Sequence, residues 1–216
     1  MSIIYPTVPK PRTKRTYTID GQQYPSVTEV LTIINKPSVN DWRARVGLDE
    51  ATRIANTAAQ LGTRVHALAA DYALGKPVEV SSDDPVVPLF IAYQQWFDQA
   101  VREVVAVERT VHHPLFGYAG TTDLVCVLHG DDLPTVVDLK TSNWTAPEWA
   151  LQTAAYARAL VREAIPISRR LVVRLGKGEQ AGEWHVHEHA QHDDDWFGFL
   201  AALQLYRWME SQYVEA

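Results

Sequence analysis

Apolar and polar positions change period several times along this chain, and each change marks an element. Near 104–112, 118–129, 134–141, 168–175 and 183–189 the apolar residues alternate or form short runs, the pattern of strands. Elsewhere they recur at three- and four-residue spacing, predicting helices near 27–35, 40–60, 62–74, 85–102, 147–163 and 194–213. Across the start of the third of these helices, Leu61, Val65, Leu68 and Tyr72 recur at helical spacing. In the last, Trp196, Phe199, Leu200, Leu203, Tyr206 and Trp208 make a wide apolar face behind an acidic start at Asp193, Asp194 and Asp195. Asp20-Gly21 reads as the turn of a short strand pair around 16–24, the segment 128–134 as a hairpin turn, and Gly176-Lys177-Gly178 as the opening of a hairpin loop. Residues 1–16, with Pro6, Pro9 and Pro11 among basic residues, read as an extended arm. Residues 17–216 then form a single domain of the α/β (mixed α+β) class, a central mixed β-sheet flanked by helices.

One strand breaks the pattern. In Thr135-Val136-Val137-Asp138-Leu139-Lys140-Thr141-Ser142, side chains two apart share a face, so Asp138 and Lys140 project together while Val137 and Leu139 face a core. Burying either charge costs several kcal/mol unless it is paired or binds a metal. The turn before this strand brings Asp123, in Gly120-Thr121-Thr122-Asp123, beside Asp138. Two carboxylates with a lysine nearby suit a hard cation such as magnesium, with Lys140 orienting a water or steadying charge on phosphoryl oxygens. The plainer alternative is an edge-strand salt bridge.

Other residues have plain readings taken by themselves. His66 sits beside the apolar stripe of its helix as a hydrogen-bonded boundary residue, and Gly62 before it permits close approach. Glu108 closes the apolar run Val104-Val105-Ala106-Val107 as its solvent exit. Gln152 and Tyr156 share one helix face. His185, His187 and His189 alternate on one strand face, but the outer two lie about 13 Å apart at strand rise, so a solvated face is the reading. His112-His113, before Pro114, reads as an exposed turn.

The ordered set Gly62-x-x-x-His66, Glu108, Gly120-Thr121-Thr122-Asp123, Asp138-Leu139-Lys140-Thr141-Ser142 and Gln152-x-x-x-Tyr156 resembles the PD-(D/E)XK nuclease superfamily, in its RecB-like and phage-type exonuclease branch. The resemblance starts near Tyr24-Pro25-Ser26-Val27-Thr28-Glu29 and runs to the last helix. Thr122 stands where the family name has Pro, and Asp138 where Glu is commoner. The resemblance implies a restriction-endonuclease-like core and a deoxyribonuclease dependent on Mg2+ or Mn2+. It implies that His66, Asp123, Asp138 and the Leu139 backbone carbonyl hold the metal and that Lys140 positions the attacking water. Glu108 and Gln152 would support metals or waters, with Tyr156 packed beside them. The activity expected is exonucleolytic, leaving a 5′-phosphate and a 3′-hydroxyl in DNA recombination, repair or phage DNA processing. A DNA endonuclease or nickase of the same fold, or a non-cleaving nucleic-acid-binding module, stays open beside it.

Charge narrows how DNA is held. The chain has 216 residues, a formal charge of −6 and a pI near 5.7, which disfavours a non-specific nucleic-acid coat but allows local basic surfaces. Arg43, Arg45, Arg53 and Arg64 on the helices leading to His66, with Lys14 and Arg15 of the arm, are the candidate DNA contacts. Trp42 either stacks on a base or packs in a core. With Cys126 the one cysteine, neither a disulfide framework nor an iron–sulfur cluster is expected. No run approaches a membrane span and no signal-peptide core is visible, so the expected location is the cytoplasm of a bacterial or phage-infected host cell. Oligomerisation is compatible with this reading and leaves no signature in the sequence.

Overall fold

The computed structural model describes residues 14–213, so the expected arm lies outside the described residues as far as residue 13. Strands β1 (Thr16–Ile19) and β2 (Gln22–Pro25) form an antiparallel hairpin. Its turn holds Asp20 at φ 50° and Gly21 at φ 77°, the two positive φ angles that an aspartate–glycine turn supplies. Ser26 then caps α1 (Val27–Val30), its Oγ accepting the Glu29 N–H at 2.9 Å.

Helices α2 (Pro37–Val46) and α3 (Leu48–Ala73) part at Gly47, whose φ of 92° interrupts the helix. The break expected between 60 and 62 is therefore displaced. Gly47 takes a backbone conformation that L side chains disfavour, whereas Gly62 is helical and spares space instead. A Cβ on Gly62 would stand 3.1 Å from Thr141 Oγ1, so its absence lets α3 approach the end of the charged strand.

After α4 (Val87–Ala100) come β3 (Val101–His113), β4 (Tyr118–Leu128), β5 (Thr135–Thr141), α5 (Glu148–Arg162), β6 (Arg169–Leu175), β7 (Trp184–Glu188) and α6 (His192–Tyr213). The five strands form one sheet in the order β3-β4-β5-β6-β7. Only the β5–β6 pair is parallel, and α5 is the crossover that a parallel pair requires. This is the mixed sheet flanked by helices that the periodicity predicts.

Two apolar layers sandwich the sheet. Val27 and Val30 of α1, Ala155 and Leu160 of α5, and Phe199 and Leu203 of α6 pack on one face with Val125 and Val136. Val65 and Ala69 of α3 and Phe90, Tyr93 and Trp96 of α4 pack on the other with Leu124, Val137 and Leu139. Each of the valine, leucine and phenylalanine side chains among them contributes about 1.5–3 kcal/mol on burial. Strand period thus sorts β5 as expected: Val137 and Leu139 join the α3/α4 layer, while Asp138 and Lys140 turn toward α5.

Three expectations need correction. His112 and His113 end β3 instead of forming an exposed turn, and His113 is buried among Phe116, Tyr118 and Trp196. Pro114 stops the strand at its own position and leaves the residue before it extended, so His113 stays on the sheet. Trp208, assigned to the inner face of α6, is 61% exposed, because the inward stripe runs through Trp196, Phe199, Leu203 and Tyr206. His187, on the strand read as solvated, lies edge-on to Trp149 with centroids 6.0 Å apart.

Candidate active site

Strands β4 and β5 pair only as far as Leu124 with Val137. Beyond that point they part, and the residues next in line are Asp123 and Asp138. The Leu139 N–H, which has no strand partner on that side, is taken by Asp123 Oδ2 at 2.6 Å. The other oxygen of Asp123 faces His66 Nδ1 of α3 at 3.1 Å. One carboxylate therefore closes the fork between two strands and ties it to a helix.

Glu108 joins them from β3. Its φ is 47°, in the left-handed region, where a non-glycine residue costs on the order of 1–3 kcal/mol. Val107 pairs with Leu124 and Arg109 with Thr122, which sets Glu108 opposite Asp123. Unbroken alternation would put Val107 and Val111 on one face, yet they belong to opposite layers. The left-handed residue between them goes with that reversal. It places a carboxylate by the α3 side of the sheet, where His66, Glu108 and Asp123 bring ligand atoms within 4.8 Å of one another. Ala69, Tyr93 and Val107 line the same cleft with them.

Asp138 is held differently. It is 2% exposed; its Oδ1 accepts Gln152 Nε2 at 2.7 Å, and its Oδ2 lies 2.7 Å from Lys140 Nζ. Lys140 Nζ also donates to Gln152 Oε1 at 3.0 Å, closing a ring of three side chains. Gln152 Nε2 donates further to Tyr156 OH at 3.1 Å. The i,i+4 spacing on α5 presents Gln152 and Tyr156 together to the strand.

Burial and crowding set the protonation. Burial, and then the neighbouring Asp123, push the Asp138 carboxyl up to about 6 against the opposing charge of Lys140. Glu108 is raised by burial first and by Asp123 next. For Asp123, burial acts upward, but the hydrogen bond and charge of His66, the charge of Lys140 and the Leu139 N–H together hold it below the ordinary value. His66 is opposed by burial and raised by Asp123. Two carboxyls resisted by burial and by a neighbouring carboxylate, beside an imidazole, are a donor set that a divalent cation would stabilise in ionised form.

The structure thus gathers His66, Glu108, Asp123, Asp138, Leu139, Lys140, Gln152 and Tyr156 at the open end of the β4–β5 fork. It ties Asp123 to the Leu139 amide, and Asp138 to a glutamine and a lysine. The basic residues are spread more widely. Arg43 and Arg45 are exposed on α2, Arg53 pairs with Glu50 at 2.6 Å, Arg64 pairs with Asp84, and Lys14 with Glu210. The charge of Arg15 acts on Glu108. Among the described residues no group of three metal-donor side chains includes His185, His187 or His189.

Three contributors went unread in the sequence. A Cβ on Gly120 would stand 2.5 Å from Tyr156 Cε1, so the glycine opens the space in which that ring lies. Tyr17 OH meets Thr121 Oγ1 at 2.9 Å, fastening the first hairpin to the site strand. Tyr93 walls the cleft. Glycine before the Thr121-Thr122-Asp123 run was the one signal in the chain, and it carried no hint of which ring it faces.

No protein-family model matches the chain, and no curated protein matches it in sequence. Among solved structures it is similar to the crystal structure of an alkaline exonuclease from Laribacter hongkongensis, at 11% identity and a TM-score of 0.35, over 71% of this chain and 85% of that one. A likeness that slight assigns no family, and the chemistry is read from the side chains. Among the described residues, no helix is long and apolar enough to cross a membrane.

Proposed function

We propose that the protein is a Mg2+- or Mn2+-dependent deoxyribonuclease, an exonuclease that leaves a 5′-phosphate and a 3′-hydroxyl. The observation that carries the reading is the junction of two groups at one strand fork: the His66, Glu108 and Asp123 donors, and the Asp138–Lys140–Gln152 ring. A structural ion pair alone leaves the first group unexplained, since it holds a strained glutamate against a second carboxylate.

His66, Glu108 and Asp123 would hold the cation, with Asp138 and the Leu139 carbonyl as the further ligands that the sequence resemblance implies. A cation there supplies Lewis-acid polarisation of a phosphoryl oxygen and a more acidic water. Lys140 has three donors and spends them on Asp138 and Gln152 in part, leaving a proton to direct at a phosphoryl oxygen or a water. Gln152 fixes the Asp138 carboxylate and the Lys140 ammonium relative to each other, a positioning role. Leu139 holds Asp123 through a backbone amide, which fixes it whatever the side chain at 139.

The test is cleavage of end-labelled linear, circular, single- and double-stranded DNA with magnesium, manganese or chelator. Metal-dependent digestion of linear DNA with circular DNA spared supports the reading; cut circles convert it to an endonuclease or nickase. Binding without cleavage under every metal overturns it in favour of a non-cleaving module.

A further inference from the structure

Beyond the fork, the chain leaves β5 through a loop that carries Trp144, an indole 80% exposed to solvent. Large aromatics bury well over 100 Å² when they pack, so one held in water has forgone a large gain. Trp144 makes no ring contact and no side-chain hydrogen bond among the described residues. Its loop is nonetheless fastened. Ser142 Oγ accepts the Trp144 N–H at 3.0 Å and donates to the Trp144 carbonyl at 2.9 Å. Asn143 clasps the backbone of Lys177 from both sides, Nδ2 donating to its carbonyl at 2.9 Å and Oδ1 accepting its N–H at 2.6 Å. Arg174, buried on β6, donates to the Ser142 carbonyl at 3.0 Å.

The same clasp sets Lys177 against the neighbour of Trp144. Lys177 is half-buried and has no carboxylate partner among the described residues, and burial draws its ammonium below the ordinary lysine value. A cation partly stripped of water and left without an acid is stabilised by an arriving anion. A fastened exposed ring, on a loop clasped to the backbone of such a lysine, matches what a single strand offers in repeat, a base with a π-face and a phosphate.

We infer that Trp144 stacks on a base of a single-stranded DNA segment while Lys177 takes one of its phosphates, next to the fork that holds Asp138 and Lys140. The contact rests on the proposed nuclease reading and supplies what it lacks, a way for an acidic protein to grip a strand end. Stacking is indifferent to base identity, so the contact confers hold without sequence preference.

The experiment measures binding in calcium of a labelled short oligothymidylate and of a strand of equal length with every residue abasic. It compares wild type, Trp144→Ala, Trp144→Phe and Lys177→Gln. Trp144→Ala should weaken the oligothymidylate by roughly 5- to 150-fold and the abasic strand hardly at all, with Trp144→Phe retaining most of the affinity. Lys177→Gln should weaken both strands and lower the slope of log affinity against log salt by about 0.7. Equal affinity of Trp144→Ala and wild type for oligothymidylate, or an equal loss on both strands, overturns the stacking contact. Hydrolysis of bis(p-nitrophenyl) phosphate, which offers no base, separates the two readings: Trp144→Ala should match wild type there. If wild type hydrolyses neither this ester nor DNA, the nuclease reading falls, while the binding data still decide Trp144.

Discussion

Asp123 and Leu139 are joined by a 2.6 Å hydrogen bond from the Leu139 amide to the Asp123 carboxylate, at the point where β4 and β5 stop pairing. A ladder that ends inside the protein leaves an amide to satisfy, and the acid that satisfies it is also the one facing His66 and Glu108.

Asp123→Asn, Asp138→Asn and Lys140→Ala should each cut the cleavage rate by about 100-fold or more while the circular dichroism spectrum stays that of wild type. Asp123→Asn should also weaken metal binding in calorimetry, and Lys140→Ala should largely keep it. Gln152→Leu, which removes only the brace on Asp138 and Lys140, should cost about 10–100-fold. Wild-type turnover in the first three folded variants would end the assignment of this site.

His66 makes the donor set partly nitrogenous, and imidazole favours manganese over magnesium. Wild type should bind manganese more tightly, and His66→Ala should narrow the difference. An unchanged affinity ratio by calorimetry would make His66 a brace for Asp123 and not a ligand.

Gly120→Ala should destabilise the protein, because the added Cβ would lie 2.5 Å from the ring of Tyr156, itself 3% exposed. Overpacking of this kind costs about 1–3 kcal/mol. Denaturant unfolding reads it directly, and pairing the change with Tyr156→Leu should recover part of the loss. Undiminished stability would mean the ring shifts freely.

His113 should make stability pH-dependent. Burial, with the charge of Arg162 as the next cause, lowers its pKa from 6.5, so the folded state resists the proton that the unfolded chain accepts. The contribution is complete above pH 6.5 and is lost as pH falls from there through the lower folded value. Unfolding free energies between pH 7.5 and 5.5 should decline in wild type and decline less in His113→Phe, which keeps a ring against Phe116, Tyr118 and Trp196. Parallel declines would clear His113 of the effect.

Arg43 and Arg45 are exposed on α2. If they meet phosphates, Arg43→Gln with Arg45→Gln should weaken duplex binding in calcium alike for all sequences and reduce the salt slope by about 0.9 for each phosphate no longer neutralised. An unchanged slope would direct the duplex to another surface.

The sequence by itself determined the element order and the pairing of chemistry with strand period. Two-residue alternation is local, so Asp138 and Lys140 were bound to share a face once β5 formed, and four-residue spacing bound Gln152 to Tyr156 on α5. Tertiary structure decided what those faces meet. Where β4 and β5 part, which oxygen of Asp123 takes the Leu139 amide, and how a left-handed Glu108 comes to face His66 depend on sheet register and on how α3 packs. The same holds for the glycines: Gly47 and Gly62 are one residue type in sequence, but backbone angle makes the first a helix break and packing against Thr141 makes the second a spacer. Such distinctions arise from interactions between residues far apart in the chain, which no local period encodes.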